Sequence, residues 1–464
     1  MADQWGERMP RSVSLLQIVA VSVGVTIGSG IFRVPATVAA QLVAPGPILT
    51  CWVLGGIIAL CGALSIAELA AALPRSGGIF AYLLEGYGPL PAFLFGWTEL
   101  VVIRAAALGA IATIFAEYLG YFLPLSAMQV RETAALAIGV IGVVNYVGVQ
   151  RAAALQTVTT ALKYAVLLGL GVLAFTARGG TLAHFTPAWP TGLRFSLLAS
   201  ALIPVLWTYD GWADPASIAG EIRNPQRDLP LGLIVGALAV ILVYLVVNIG
   251  FIYALPPAQM AGAKLIAAAV AAQIPLFGGV GAAVIAAAVM LAAFSGLNAS
   301  MLTGSRIFFA MADRDLFFRV VARVSPRFQS PSVAIGLASA LGIAYVLEND
   351  FAQLADKFIL GIWPFYALAV AAVFVLRRRR PDLVRPYRVW GYPVVPLVFL
   401  LASVFMLVNA LVTDPRNTGV TLLIILAGIP AYWLRARLAR GFRRGAQAEQ
   451  NTISQKHSAR DPQQ

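Results

Sequence analysis

Apolar residues run through this chain in long blocks, not in alternation. Blocks long enough to cross roughly 30 Å of hydrocarbon fall near 13–39, 47–72, 90–118, 133–149, 152–175, 196–219, 230–253, 278–311, 331–348, 352–376, 393–412 and 417–436. Strands of a membrane barrel would alternate over about ten residues, and no such stretch occurs. A backbone in lipid must satisfy its own hydrogen bonds, so the blocks predict helices. The pattern predicts an all-α polytopic membrane protein of 12 transmembrane helices. One membrane domain is expected over 13–440, preceded by a cytoplasmic N-terminus at 1–12 and followed by a polar, disordered cytoplasmic tail at 441–464.

Composition agrees with lipid as the solvent. The chain is 60% hydrophobic and 11% charged, where a soluble domain carries roughly 25% charge. A net charge of +13 would by itself raise nucleic acid as a partner, but the basic residues sit in short connections between apolar blocks. With the N-terminus inside, twenty-three lysines and arginines fall in inner connections and tails, against five outside: Arg131, Arg178, Arg194, Lys264 and Arg416. That bias sets orientation and requires an even number of spans. Both termini are therefore expected in the cytoplasm of a protein of the cell (inner or plasma) membrane, with lipid as its surroundings and no nucleic acid. Cys51 and Cys61 share one apolar block, so neither a disulfide framework nor a metal set is expected, and no cofactor is implied. The polar first ten residues carry no signal-peptide pattern.

Two blocks carry helix-breaking signals at mid-depth. The first contains Thr26-Ile27-Gly28-Ser29-Gly30-Ile31-Phe32, the sixth Trp207-Thr208-Tyr209-Asp210-Gly211-Trp212. Each glycine weakens a helix by about 1 kcal/mol relative to alanine. An intramembrane carboxylate costs about 2.5–3.5 kcal/mol on insertion scales. Taken alone, the glycine motif reads first as close packing of small residues against a neighbouring helix. The second motif changes that balance. The two breaks lie five blocks apart, so their helices run in opposite directions, as in an inverted repeat with a midplane site between discontinuous helices. Unwound backbone offers N–H groups that suit a carboxylate and carbonyls that suit an ammonium. An α-amino acid satisfies both.

At these motifs the chain resembles the amino acid–polyamine–organocation superfamily, and within it bacterial relatives of the L-type amino acid transporters. The resemblance covers about 12–440 and rests on five motifs in order: Gly28-Ser29-Gly30-Ile31-Phe32; Pro74-Arg75-Ser76-Gly77-Gly78; Tyr209-Asp210-Gly211-Trp212; Gly220-Glu221-Ile222-Arg223-Asn224-Pro225 with Asp228-Leu229-Pro230; and Arg385-Pro386-Tyr387 with Gly391-Tyr392-Pro393. It implies a five-plus-five inverted repeat, here about 13–175 and 196–376, with broken helices 1 and 6 and two additional helices at about 393–436. It also implies an amino acid permease or exchanger working by alternating access. Ile79 stands where an acidic residue often follows the glycine pair, and no cysteine occurs near 119–132, where animal members link a heavy subunit. A disulfide-linked heavy subunit is not expected.

Site roles follow from that resemblance beside the residues themselves. Ser29 and Gly30 are expected to hold the substrate carboxylate, with Gly28 in the same unwound turn. The carbonyls of Thr26, Ile27, Trp207 and Thr208 are expected to accept the ammonium, and Trp207 to form an aromatic lid. Lys163 lies deep in block 5. It reads either as a snorkelling lysine or, as in the resembling sodium-independent members, as an ammonium in place of a sodium ion, tethering segment 1 to segment 8. Arg104 and Asp210 read as a buried pair, or Asp210 faces the side-chain pocket; Ser295 and Asn298 match a polar face of segment 8. Arg33 reads as a snorkelling residue without a role. Small neutral amino acids are the expected substrates, cationic ones the alternative, and a non-transporting amino acid sensor a further one. An enzyme finds little support: the two histidines, His184 and His457, lie in polar connections. A channel would need a polar stripe along a segment, and none occurs.

Overall fold

A computed structural model describes residues 13–435 apart from 29, 75–76, 148–162, 191, 193, 314–315, 318, 323–324, 326, 329 and 331. The expectations for 1–12, Ser29 and the tail at 441–464 lie outside the described residues. The described chain is helical, with one isolated bridge, Val13 to Ile222, and no strand.

Every apolar block holds an apolar helix. These are α1 (Leu15–Thr26), α2 (Pro45–Ala72), α3 (Pro89–Leu119), α4 (Ala127–Val147), α5 (Lys163–Thr176), α6 (Phe195–Tyr209), α7 (Pro225–Ala254), α8 (Gly281–Asp313), α9 (Ser332–Glu348), α10 (Phe351–Arg379), α11 (Val394–Thr413) and α12 (Pro415–Arg435). Among the described residues, eight are long and apolar enough to cross a membrane, and the described lengths of α1, α5, α6 and α9 are shorter. Proline opens α2, α3 and α7, where its fixed φ suits the first turn and its missing N–H costs nothing.

Element ends differ from the block ends for local reasons. Helix α4 begins at Ala127, ahead of its apolar block, because Ser126 and Gln129 cap it: the Ser126 N–H donates to Gln129 Oε1 at 2.8 Å. Its first two turns carry Gln129, Arg131 and Glu132 and so read as a connection in the sequence. Segments 1 and 6 are broken as expected. After α1 the chain passes through a short 3-10 turn, Gly30–Phe32, into a second helix, Val34–Leu42. After α6 it continues as the 3-10 stretch Asp214–Glu221.

The broken segments run antiparallel. At one end the Arg223 N–H donates to Val13 O (3.1 Å); at the other the Gly46 N–H donates to Ala188 O (2.8 Å). Helix α7 packs across α1 and α2, while α8 packs on α3. Charge is sorted to the two ends of the bundle. At one, Glu68 of α2 accepts from Arg377 Nε (2.8 Å) and from the Val389 N–H (2.8 Å), with Arg385 Nε 3.5 Å away. At the other, Arg33 is paired with Glu117 at 2.8 Å. Arg33 is thus held by a carboxylate of α3 and does not reach alone for the surface, because Glu117 ends the facing helix at the same depth.

Candidate functional site

The site is built where the two breaks touch. A continuous α1 would bond the Gly28 N–H to Gly24 O. Instead that N–H turns to Thr26 O at 2.8 Å, which releases the Gly24 carbonyl. Lys163 Nζ donates to it at 2.6 Å from a side chain only 2% exposed. The lysine therefore satisfies a group that the break orphans, and does so by a charge-assisted bond. The sequence reading extended this tether to segment 8. Among the described residues the ammonium's one hydrogen bond is to α1, because the orphaned carbonyl lies there.

The second break has a different construction. Helix α6 contains Pro204 and stops at Tyr209; Asp210 is extended at ψ 152°. Gly211 follows at φ +111°, and a Cβ there would stand 2.9 Å from the Thr26 nitrogen. Both facts demand glycine. The contact is reciprocal at Gly30, whose Cβ would meet the Trp207 ring at 2.6 Å and Thr208 Oγ1 at 3.0 Å. By contrast, a Cβ on Gly28 would meet only Thr26 O at 4.0 Å. One side chain spans both breaks: the Tyr244 hydroxyl of α7 lies 2.9 Å from Thr26 O and 2.9 Å from Thr208 O, within donating distance of each.

A cavity opens beside these breaks, lined by Thr26, Gly28, Gly30, Trp207, Thr208, Asp210 and Arg104 among the sequence-predicted residues. Asp214, Ser300 and Thr303 add polar lining, and Ala107, Ile111, Gly296, Ala299 and Phe358 apolar lining. Ile27 is buried but does not line it, and Lys163 stands behind α1. Ser295 and Asn298 are fully buried on another face of α8, where Asn298 Oδ1 accepts from Asn145 Nδ2 at 2.9 Å; the lining face of α8 carries Gly296, Ala299, Ser300 and Thr303. Arg104 is not paired with Asp210. It is bound to Glu99, and its Nη1 donates to Ser300 Oγ (2.8 Å) and Ser300 O (3.0 Å). The reason is a π turn at Glu99–Arg104 in α3, which brings side chains five apart onto one face. Asp210 instead accepts from the Tyr366 hydroxyl of α10 at 2.9 Å.

A sequence profile described as amino acid permease matches residues 13–433. The chain belongs to the amino acid permease family. It is 31% identical over 427 residues, covering 92% of this chain and 97% of the relative, to the serine/threonine exchanger SteT of Bacillus subtilis. It is 29% identical to the b(0,+)-type amino acid transporter 1 of Mus musculus and to the cystine/glutamate transporter of Homo sapiens, over 92% of this chain and 88% and 85% of those proteins. The protein is a multi-pass membrane transporter of amino acids, not an enzyme.

Five side chains that line the cavity or hold residues in and beside it escape sequence reasoning: Glu99, Asp214, Tyr244, Tyr366 and, at Arg33, Glu117. Glu99 was readable in part, since opposite charges five apart in one apolar block need a common face. Tyr244 and Tyr366 carry no such signal. Each is one tyrosine in an apolar run, and its partner is a carbonyl or a carboxylate from a distant segment.

Proposed function

We propose that the permease moves L-amino acids across the cell membrane by alternating access, independently of sodium, with the zwitterionic end of the substrate held between the two broken helices. The observation that carries this reading is the meeting of the breaks: Gly30 against Trp207, Gly211 against Thr26, and Tyr244 bonded to a carbonyl of each. The carboxylate goes to Ser29 and Gly30, by backbone N–H and the serine hydroxyl, where the chain re-enters helix and the dipole favours an anion. The ammonium goes to the carbonyl side, among Thr26, Ile27, Trp207 and Thr208, competing with the Tyr244 hydroxyl for Thr26 O and Thr208 O. Trp207 closes over the ligand. In this reading the twelve apolar helices are twelve spans, the first ten form a five-plus-five inverted repeat, and both termini face the cytoplasm. No disulfide-linked heavy subunit takes part. Lys163, bonded to the freed Gly24 carbonyl, supplies the positive charge that a sodium ion would otherwise bring.

Small neutral or hydroxylated amino acids are the proposed substrates. The small lining residues Ala107, Gly296 and Ala299 and the similarity to a serine/threonine exchanger support this. A second reading, cationic substrates, is favoured by one observation. Arg33 and Arg104 are each paired with a glutamate, so neither opposes a cation, and two aspartates line the cavity. Competition for labelled serine uptake by unlabelled arginine, in wild type and in Asp210→Asn, separates the two. Potent competition lost in the variant establishes the cationic reading; weak competition in both keeps the neutral one. Counterflow in proteoliposomes tests transport itself: a transporter accumulates labelled substrate against unlabelled substrate, and a sensor does not.

A further inference from the structure

Beyond the cavity, on the side of Arg33, the path is closed by an ordered stack. Trp207 packs edge-on against Phe351 of α10, with ring centroids 5.3 Å apart and an interplanar angle of 85°. The Arg33 guanidinium lies over the same Phe351 ring, 4.9 Å from its centroid. Arg33 Nε donates to Glu117 Oε2 at 2.8 Å, and its Nη1 donates to Thr37 Oγ1 at 3.2 Å. The next residue of α3 grips the same turn: the Tyr118 hydroxyl donates to Phe32 O at 2.7 Å. A second cavity, lined by Arg33, Glu117, Arg131, Lys264, Asp350 and Phe351, opens outside this stack. The layers between the two cavities thus come from four different segments.

We propose that the Arg33–Glu117 ion pair is the latch of the outer gate: it holds the second half of broken segment 1 against α3, and opening the site to the outside requires breaking it. This rests on the alternating-access reading above. Three features make the pair suited to the task. It joins residues 84 apart in sequence, so it ties separate helices and not one turn to the next. Its side chains are 24% and 25% exposed, so water can take over both charges when it opens, unlike a fully buried pair, whose separation would be prohibitive. And Arg33 sits directly after the Gly30–Phe32 turn, so movement at the site and movement at the latch are one backbone displacement. When the pair parts, the guanidinium leaves the Phe351 ring, and the ring no longer backs Trp207.

The test reads accessibility, not transport. In a Cys51→Ala/Cys61→Ala background, Ala107→Cys places one thiol on the cavity, and intact cells are treated with a membrane-impermeant maleimide. Arg33→Gln and Glu117→Gln should each raise the labelling rate about threefold, the population shift that loss of a part-exposed ion pair produces. The charge-exchanged double variant Arg33→Glu/Glu117→Arg should return it toward the starting rate. Unchanged labelling in both single variants, or no recovery in the exchanged pair, would overturn the latch. Substrate protection of the thiol in the starting background is measured alongside. If protection persists while the singles label at the starting rate, the latch fails and the site reading stands. If substrate never protects, the site reading fails and the latch falls with it.

Discussion

The breaks in segments 1 and 6 lie against each other, yet they are built from different chemistry. The first is made of backbone: Gly28 and Gly30 carry no side chain, and its released carbonyl is satisfied by Lys163 from α5. The second is made of side chains as well: Asp210 and Gly211 break it, Tyr366 holds the aspartate, and Trp207 faces Gly30. Backbone groups can read only what every amino acid shares. Side chains can read what distinguishes one from another. The proposed division of labour is therefore that the backbone of both breaks binds the zwitterion, the side chains of segment 6 select among substrates, and Tyr244 couples the two breaks by bonding to a carbonyl of each.

The largest expected effect separates the two glycines of the first break. Gly30→Val should abolish uptake with the protein still folded and in the membrane, because its Cβ would stand 2.6 Å from the Trp207 ring. Gly28→Ala should retain measurable uptake, because a Cβ there meets only Thr26 O at 4.0 Å. Uptake kinetics of both variants, normalised to membrane-inserted protein, check the contrast; equal losses would break it. Next comes Lys163→Ala, expected to lower uptake about ten- to hundredfold, the loss of a charge-assisted bond to an orphaned carbonyl. Sodium should not restore it. Dependence of wild-type uptake on a sodium gradient would contradict the role given to the lysine.

Smaller effects test the second break and the bridge. Asp210→Asn should change the order in which amino acids compete more than it changes the uptake of serine, since the aspartate belongs to the selecting side. A uniform loss for all substrates would place Asp210 with the zwitterion instead. Tyr244→Phe keeps the ring, which packs beside Trp52 and Tyr209, and removes only the hydroxyl. Each lost bond is worth about 0.5–1.5 kcal/mol. The half-saturation concentration should shift severalfold with little change in expression.

Much of this was legible in the sequence, and the remainder was hidden for definable reasons. Apolar blocks fixed the helices because lipid leaves the backbone no other option. The breaks were visible because glycines and an Asp-Gly pair at mid-depth have few explanations. Lys163 was visible because a lone ammonium in an apolar block must find an acceptor. The pairing of Arg104 with Glu99 was hidden because it depends on a π turn, which no periodicity announces. Arg33 was set aside because Glu117 ends a different helix, and only the packing of α3 against segment 1 brings them together. That Gly296, Ala299, Ser300 and Thr303 line the cavity while Ser295 and Asn298 do not was hidden because α8 is apolar nearly all round, so its sequence does not show which stripe meets the cavity.

The central claim is that the touching breaks bind the zwitterionic end of an amino acid. Competition for labelled serine uptake by serine derivatives tests it most directly. Unlabelled serine should compete, while N-acetylserine, lacking the ammonium, and serinamide, lacking the carboxylate, should not. Competition by either derivative at concentrations comparable to serine would contradict the account, because the two ends of the break could not then both be reading the ligand.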